Sequence, residues 1–129
     1  MTNFDRIAAV IGDTFLLRSR TTRLGALRMQ RDWIVQLSAK AKAAGKTPLL
    51  SISFDAEGKT DDWLFMPRPT LEERVGRLES WSVKHATAGS VRFGRWDAEK
   101  ARQKTELAVV LLIFGADGLF GIPMEKWSR

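Results

Sequence analysis

The chain has 129 residues, no cysteine, one histidine, a formal net charge of +6 at pH 7 and a pI near 10.2. The lack of cysteine excludes disulfides, thiolate catalysis and cysteine-based zinc sites, so a metal would have to be held by carboxylates. The longest apolar run, LAVVLLIFGA, is about half as long as a membrane-spanning helix, whereas the basic charge favours polyanionic partners such as nucleic acid.

The first half of the chain predicts a helix, two strands, a second helix and two further strands. The apolar residues that would share one face of the first helix are Phe4, Ile7, Ala8 and Ile11. Asn3 is the expected N-cap of this helix, and Asp32 is the expected N-cap of the second helix. Gly25 marks a turn between the strands TFLLRSRTT and ALRM. The last two strands, PLLSISF and WLFMP, flank the acidic turn DAEGKTDD.

The second half predicts the same order of elements. The apolar residues on one face of its first helix are Leu71, Val75 and Leu78. Thr70 and Glu73 would form a capping box at the start of this helix. Gly89 marks the turn between the strands SWSVKHAT and SVRF, and Asp97 is the expected N-cap of the next helix. The last two strands, AVVLLIF and LFGIP, are joined by the turn GADG.

One basic phrase occurs in both halves. RTTRLGALRMQRDW in the first half matches KHATAGSVRFGRWD in the second at a constant offset of 64 positions, as from Arg28 to Arg92. We therefore expect an α/β or α+β fold, built as a tandem α-β-β-α-β-β pseudo-repeat with pseudo-two-fold symmetry. The repeats would span residues 1–68 and 69–129 and form one compact unit. The alternative is two unrelated αβ units that share common turn chemistry.

The third strand of each half has its own pattern. AVVLLIF is apolar on both faces, which is typical of a central strand covered on both sides. PLLSISF alternates, with Leu50, Ile52 and Phe54 on one side and Ser51 and Ser53 on the other. A half that buries only one sheet face needs a partner, and we expect the other half to supply it.

The repeated phrase places basic residues beside aromatic ones, which predicts a groove for a nucleic-acid strand, since cations hold phosphates and rings stack on bases. The residues expected to contact phosphates are Arg18, Arg20, Arg23, Arg28, Arg31, Lys84, Arg92 and Arg95. The candidates for stacking on bases are Trp33, Phe93 and Trp96. The alternative is core packing for the aromatic residues and a solvated face for the arginines.

The segment from FLLRSRTT through WIVQLSAKAKAAGKTPLLSISF to DDWLFMP resembles the second half of phage and archaeal-type PD-(D/E)XK nucleases of the Holliday-junction-resolvase kind. In that family a strand bearing Glu-x-Lys-Thr-Thr precedes a helix that ends near A..GK.P, an apolar strand that ends in Phe, and a last strand that ends in Pro. The resemblance covers about residues 14–67 and, more weakly, 80–123. It implies a nuclease scaffold that binds DNA.

The resemblance does not extend to the catalytic residues. The positions of the family's glutamate and lysine are occupied by Arg18 and Arg20 in the first half, and by Ser82 and Lys84 in the second. The metal-binding acid is therefore absent from both halves. Hydrolysis by these enzymes needs carboxylates that hold Mg²⁺, so the resemblance implies DNA binding without cleavage.

The other candidate groups give little support for catalysis or for metal binding. Asp13 lies too close to Arg18 to be the family's preceding aspartate, and Asp5 lies in a predicted helix. The acidic turn at residues 55–62 lacks the spacing of an EF-hand loop, so a solvated hairpin turn is favoured over a metal site. His85 has neither a second histidine nor a clear acid partner for catalysis. We expect no cofactor and no bound metal.

Three hypotheses follow. The first is a non-catalytic protein of phage or mobile-element origin that binds single-stranded or branched DNA in replication or recombination, with other proteins of those processes as possible partners. The second is an active Mg²⁺-dependent endonuclease or Holliday-junction resolvase, with carboxylates converging beside Lys84. The third is a protein-interaction module, for instance a phage inhibitor that docks on an acidic host surface. No basic leader precedes an apolar block, so we expect the cytoplasm, that of the host if phage-encoded, and no membrane partner.

Overall fold

The computed structural model describes residues 2–128, which form a mixed α+β fold with five helices and eight strands. The helices are α1 (Asn3–Ile11), α2 (Arg31–Ala43), α3 (Arg68–Val75), α4 (Arg95–Lys104) and α5 (Met124–Trp127). The strands are β1 (Phe15–Thr22), β2 (Ala26–Gln30), β3 (Thr47–Ala56), β4 (Lys59–Met66), β5 (Ser82–His85), β6 (Ser90–Gly94), β7 (Val110–Phe114) and β8 (Asp117–Pro123). No helix in this range is both long and apolar enough to cross a membrane.

Six strands form one mixed sheet in the order β1-β3-β4-β8-β7-β5. The pairs β1–β3 and β5–β7 are parallel, and the pairs β3–β4, β4–β8 and β7–β8 are antiparallel. The strands β2 and β6 pair with each other as a separate antiparallel sheet, which we call the ribbon. One strand of the ribbon comes from each half of the chain, so the ribbon joins the two halves.

One face of the six-stranded sheet is covered by α2, α4 and the ribbon. Leu50, Ile52 and Phe54 of β3 are buried in this layer together with Phe93 of β6. The ring centroid of Phe93 lies 5.1 Å from that of Trp63 on β4, in an edge-to-face arrangement. Aromatic contacts of this kind hold the ribbon against the sheet.

The opposite face is covered by α1, α3 and α5. Ile7 of α1, Leu71 of α3 and Trp127 of α5 are buried in one apolar cluster with residues of β3, β4 and β8. The helix α5 was not predicted from the sequence, because a single turn is too short to show helical periodicity. The molecule therefore has helices on both sides of its sheet.

The serine side of β3 is also buried, which corrects the expectation that PLLSISF buries only one face. Ser51 and Ser53 are both 0% exposed. The hydroxyl oxygens of Ser51 and Ser19 are 2.6 Å apart, and the Ser53 hydroxyl donates to Asp62 over 2.6 Å. Arg6 of α1 forms an ion pair with Asp62. Polar groups of the same half therefore satisfy the hydrogen bonds of these serines.

The strand β7 lies inside the sheet, as its apolar sequence predicted. It pairs with β8 on one side and with β5 on the other. Leu112 and Phe114 are buried against the ribbon side, and Leu111 packs against the cluster on the opposite face. The two central positions of the sheet are nevertheless taken by β4 and β8.

The expected caps of α1 and α3 are wrong. Thr2 rather than Asn3 caps α1, because the Thr2 hydroxyl accepts a hydrogen bond of 3.1 Å from the backbone N–H of the third helical residue. The helix α3 begins two residues before Thr70, with Pro67 in the N-cap position and no side-chain cap. Thr70 and Glu73 therefore lie inside the helix and form no capping box. The expected boundary between residues 1–68 and 69–129 falls in this first turn of α3.

The expected N-caps Asp32 and Asp97 also lie inside their helices. Both α2 and α4 start directly from the ribbon strands, with Gln30 and Gly94 in the N-cap positions. The Asp97 carboxylate still accepts a hydrogen bond of 2.9 Å from the backbone N–H of Gly94, whereas α2 has no side-chain cap.

At each end of the ribbon, a backbone hydrogen bond joins the start of a helix to the turn of the other half. The N–H of Arg31 at the start of α2 donates to the carbonyl of Gly89, and the N–H of Arg95 at the start of α4 donates to the carbonyl of Gly25, both over 2.9 Å. Each turn thus satisfies the first amide of the helix in the other half. These bonds satisfy one of the amides that a helix start leaves without an intrahelical partner.

Gly121 on β8 provides a test of the packing between β4 and β8. It is paired in register with Phe65, and a Cβ atom at this position would overlap the Phe65 ring, which is 1% exposed. We expect Gly121→Ala to lower the free energy of unfolding by about 1–3 kcal/mol, because the buried ring cannot move away. Urea denaturation measures the change.

The matched control is Gly25→Ala, since a Cβ atom at Gly25 meets no atom within 4 Å. This variant should change the free energy of unfolding by less than about 0.5 kcal/mol. Equal stabilities of the two variants would contradict the packing of Phe65 over Gly121.

Candidate nucleic-acid interface

The outer surface of the ribbon carries two arginines that face each other. Arg28 of β2 and Arg92 of β6 are directly opposite in the antiparallel register, and both are exposed. Their sequence neighbours Met29 and Val91 are buried against the sheet. Alternation along both strands therefore places the arginines outside, as the patterns ALRM and SVRF predicted.

These two arginines have little local charge compensation. The Arg28 guanidinium donates to the hydroxyl of Ser90 over 3.1 Å, and no carboxylate within residues 2–128 accepts a hydrogen bond from Arg28 or Arg92. Like charges directly opposite one another destabilise a pair of strands. A bound anion would relieve this repulsion, so the outer ribbon is a favourable place for a phosphate.

A second basic group lies at the β1 edge of the sheet. Arg18 and Arg20 alternate with Ser19, which points to the opposite face, so both arginines lie on the side of α2. The guanidinium carbon of Arg20 lies 4.6 Å from the ring centroid of Trp33 on α2. This cation–π contact fixes the direction of Arg20, whose Nε is buried without a hydrogen-bond partner among the described residues.

A third basic group lies at the β5 edge, between β5 and α4. The Nζ of Lys84 lies 3.0 and 2.9 Å from the two carboxylate oxygens of Asp97. Trp96 is 67% exposed, and the Nζ of Lys100 lies 4.3 Å from its ring centroid. Because β1 and β5 are opposite edges of a six-stranded sheet, the second and third groups are separated by five strand spacings, or roughly 24 Å.

Arg31 and Arg95 lie at the two ends of the ribbon, in different surroundings. The Arg31 guanidinium lies 2.8 Å from the carboxylate of Asp117, so an adjacent acid already compensates its charge. Arg95 is half-buried, and its Nε has no hydrogen-bond partner in the part of the chain that the structure describes. Of the two, only Arg31 forms an ion pair with an acid among the described residues.

Arg23 is exposed in the turn after β1, near the acidic hairpin. Hydrogen bonds from Thr60 and Asn3 lower the pKa of Asp55, and the charge of Arg23 acts in the same direction. Asp55 is thus an ionised neighbour that compensates part of the Arg23 charge, in contrast to the surroundings of Arg28.

The structure places one stacking candidate inside the core. Phe93 is 0% exposed, and its ring packs against those of Phe54, Phe65 and Trp63. It follows the outward Arg92, so strand alternation turns its side chain toward the sheet. A ring without exposed surface cannot stack on an incoming base. Phe93 therefore belongs to the core and not to the interface.

The acidic residues do not gather into a metal site. No group of three or more histidine, aspartate or glutamate side chains between residues 2 and 128 is placed to hold a metal ion. Asp61 and Asp62 of the acidic hairpin are each paired with an arginine. Among the described residues, Asp97 is the only acid whose carboxylate contacts Lys84. His85 is exposed on the other side of β5. The converging carboxylates of the nuclease hypothesis are not found there.

Two lysines at the β5 edge were not among the contact residues predicted from the sequence. Lys100 and Lys104 follow Trp96 at intervals of four residues, so all three lie on one side of α4. Together with Lys84 they line a groove of about 580 Å³ between β5 and α4. The four-residue spacing of Trp96 and the two lysines was the signal that could have found them.

Comparison of the chain with protein-family models, with curated proteins and with solved structures gives no match.

The repulsion between Arg28 and Arg92 predicts an effect on stability. We expect Arg92→Gln to raise the free energy of unfolding by about 0.2–1 kcal/mol in low salt, because it removes a like charge opposite Arg28. The gain should shrink as salt increases toward about 1 M, where screening acts over about 3 Å. Urea denaturation at several salt concentrations measures this change.

The control is Arg92→Lys, which keeps the charge and should leave the free energy of unfolding nearly unchanged. An equal gain from both variants would show that the cost arises from packing and not from charge.

Proposed function

We propose that this chain is a non-catalytic DNA-binding protein that holds the DNA backbone on the outer surface of the ribbon. The observation that carries the proposal is the pair Arg28 and Arg92, which are exposed, directly opposite and without a described carboxylate partner. Guanidinium groups form paired hydrogen bonds with phosphate, and phosphate removes the repulsion between them. The basic groups at the β1 and β5 edges would extend the contact along a strand.

Single-stranded or branched DNA is the form that we propose for the ligand. Apart from the lysines of α4, the basic residues of the three groups lie on strands, with Trp33 and Trp96 beside them. This arrangement differs from a recognition helix placed in the major groove. Stacking on the exposed ring of Trp96 requires an unpaired base, because the faces of paired bases are covered by their neighbours.

We further propose that the two halves arose by duplication and pack with pseudo-two-fold symmetry. The sheet order β1-β3-β4 of the first half is repeated in reverse as β8-β7-β5 in the second. Arg28 and Arg92, which are 64 positions apart, oppose each other in the ribbon. The two backbone hydrogen bonds at the ribbon ends are reciprocal. Such symmetry would place the arginine pair on the axis and relate the two edge groups to each other.

The resemblance to PD-(D/E)XK nucleases suggests an origin for this function. In β1, Arg18 and Arg20 occupy the positions of that family's glutamate and lysine, and Arg18 would repel the Mg²⁺ that the glutamate holds. The same substitution keeps an affinity for phosphate. We propose a nuclease scaffold of phage or mobile-element origin that binds DNA without cleaving it, in replication or recombination.

The test is a titration of fluorescent single-stranded, duplex and four-way-junction DNA at several salt concentrations, with and without Mg²⁺. We expect binding without cleavage. If about six phosphates are contacted, log affinity for single strands should fall with log salt at a slope of about −4. Cleavage that depends on Mg²⁺ would contradict the proposal in favour of an endonuclease. Absence of binding at low salt would contradict it in favour of an acidic protein partner.

The double variant Arg28→Ser/Arg92→Ser tests the ribbon itself. We expect the salt slope for single-stranded DNA to flatten by about 1.4, because two phosphate contacts are lost. The loss should be similar for all sequences, since phosphates carry no base information. Fluorescence anisotropy at four or more salt concentrations measures the slope.

The matched control is Lys40→Ser/Lys42→Ser, which removes the same charge from exposed positions in the last turn of α2. It should leave the slope almost unchanged. Equal flattening by both double variants would mean that net charge, and not the ribbon, determines binding.

A further inference from the structure

The groove between β5 and α4 combines an open strand edge, an exposed aromatic ring and several cations. It has a volume of about 580 Å³, which is within the range of small-ligand sites. Residues that line it include Ser82, Val83, Lys84, Trp96, Lys100 and Lys104. The strand β5 is at the edge of the sheet, so the backbone groups on its outer side have no strand partner within residues 2–128.

The exposure of Trp96 sets it apart from the aromatic residues of the core. Its side chain is 67% exposed, whereas Trp63 and Trp127 are 0% and 4% exposed. A large ring in water is available for stacking on another flat ring. The ammonium of Lys100 lies over the indole ring, 4.3 Å from its centroid, so this cation–π contact holds a positive charge at the ring.

The charges of the groove favour an anionic ligand. Lys84 is paired with Asp97, but Lys100 and Lys104 form no ion pair with an acid within residues 2–128. Two uncompensated cations, one beside the ring and one a helical turn further along α4, match the phosphates that flank a base.

The first half of the chain lacks these features. At the offset of 64 positions, Trp96, Lys100 and Lys104 correspond to Asp32, Gln36 and Lys40 on α2. In the first half, Asp32 therefore occupies the position that the exposed Trp96 has in the second half. The β1 edge thus offers phosphate contacts without an equivalent stacking surface, and the second half alone carries this combination.

We propose that the groove between β5 and α4 binds one unstacked nucleobase of a single-stranded DNA segment. The base stacks on Trp96, and Lys100 and Lys104 hold the phosphates on either side. This inference rests on the proposed DNA-binding function and specifies where an unpaired base is recognised. It makes the β5 edge the source of the preference for single strands, since a duplex does not offer the face of a base.

The experiment compares an oligothymidylate with an abasic deoxyribose-phosphate strand of the same length, at one salt concentration. Both strands present the same phosphates, but only the first presents bases. We expect the wild-type protein to bind the oligothymidylate about tenfold more tightly, as one stacked base contributes. Trp96→Ala should abolish this preference without changing affinity for the abasic strand, and Trp96→Phe should retain most of it.

Two further variants distinguish the contribution of the Trp96 ring to DNA affinity from that of the lysines. Lys100→Ala/Lys104→Ala should weaken the binding of both strands and flatten their salt slopes by about 1.4. The control Gln36→Ala/Lys40→Ala, at the corresponding positions of α2, should leave the preference for bases unchanged. Because Trp96 is exposed, thermal unfolding of Trp96→Ala should match that of the wild type.

The outcomes distinguish the two proposals. Binding of the two strands with equal affinity, or a preference that persists in Trp96→Ala, would overturn the groove while leaving DNA binding on the ribbon intact. Binding of neither strand would overturn the DNA-binding function and with it the groove. Binding of an acidic peptide in place of both strands would identify β5 as an edge for strand addition by a protein.

Discussion

The pairing of β2 with β6 is the contact on which the rest of the structure depends. It joins the two halves, and the reciprocal hydrogen bonds from Arg31 to Gly89 and from Arg95 to Gly25 tie each helix start to the opposite turn. The inner side of the ribbon places Phe93 in the aromatic core. Because side chains alternate along a strand, burial of this inner side brings the arginines of both strands to the surface. The core thus determines where the basic surface lies.

The distribution of acids makes this surface distinct from the rest of the molecule. Asp61 and Glu125 pair with Arg102 and raise its pKa, and Asp62 pairs with the arginine of α1. These carboxylates form ion pairs with arginines of α1 and α4. None of them reaches the outer side of the ribbon. Like charges directly opposite one another there cost folding free energy. Under the proposed function, a bound phosphate would offset that cost. The proposed interface is therefore marked by missing charge compensation, rather than by net charge alone.

Much of this arrangement could be predicted from the sequence, and the failures have physical causes. The order of strands and helices and the outward position of Arg92 follow from hydrophobic periodicity. The cap of α2 was wrong because the first amide of this helix donates to the carbonyl of Gly89 in the opposite half, a contact that the local sequence does not reveal. Phe93 was misplaced although it directly follows an outward arginine, so strict alternation would have put it in the core. The groove could not be predicted, because it brings Lys84 and Trp96 together from separate elements.

The most direct test of the account is to map the DNA contact on the protein by NMR, with an oligothymidylate titrated into the isotope-labelled chain. Backbone amide shifts should change along β2 and β6 and at the β5 edge, and the indole N–H of Trp96 should shift with them. Amides of α1, α3 and α5 should remain unchanged, since these helices cover the opposite face of the sheet. Shifts concentrated on those three helices, with none on the ribbon, would contradict the account.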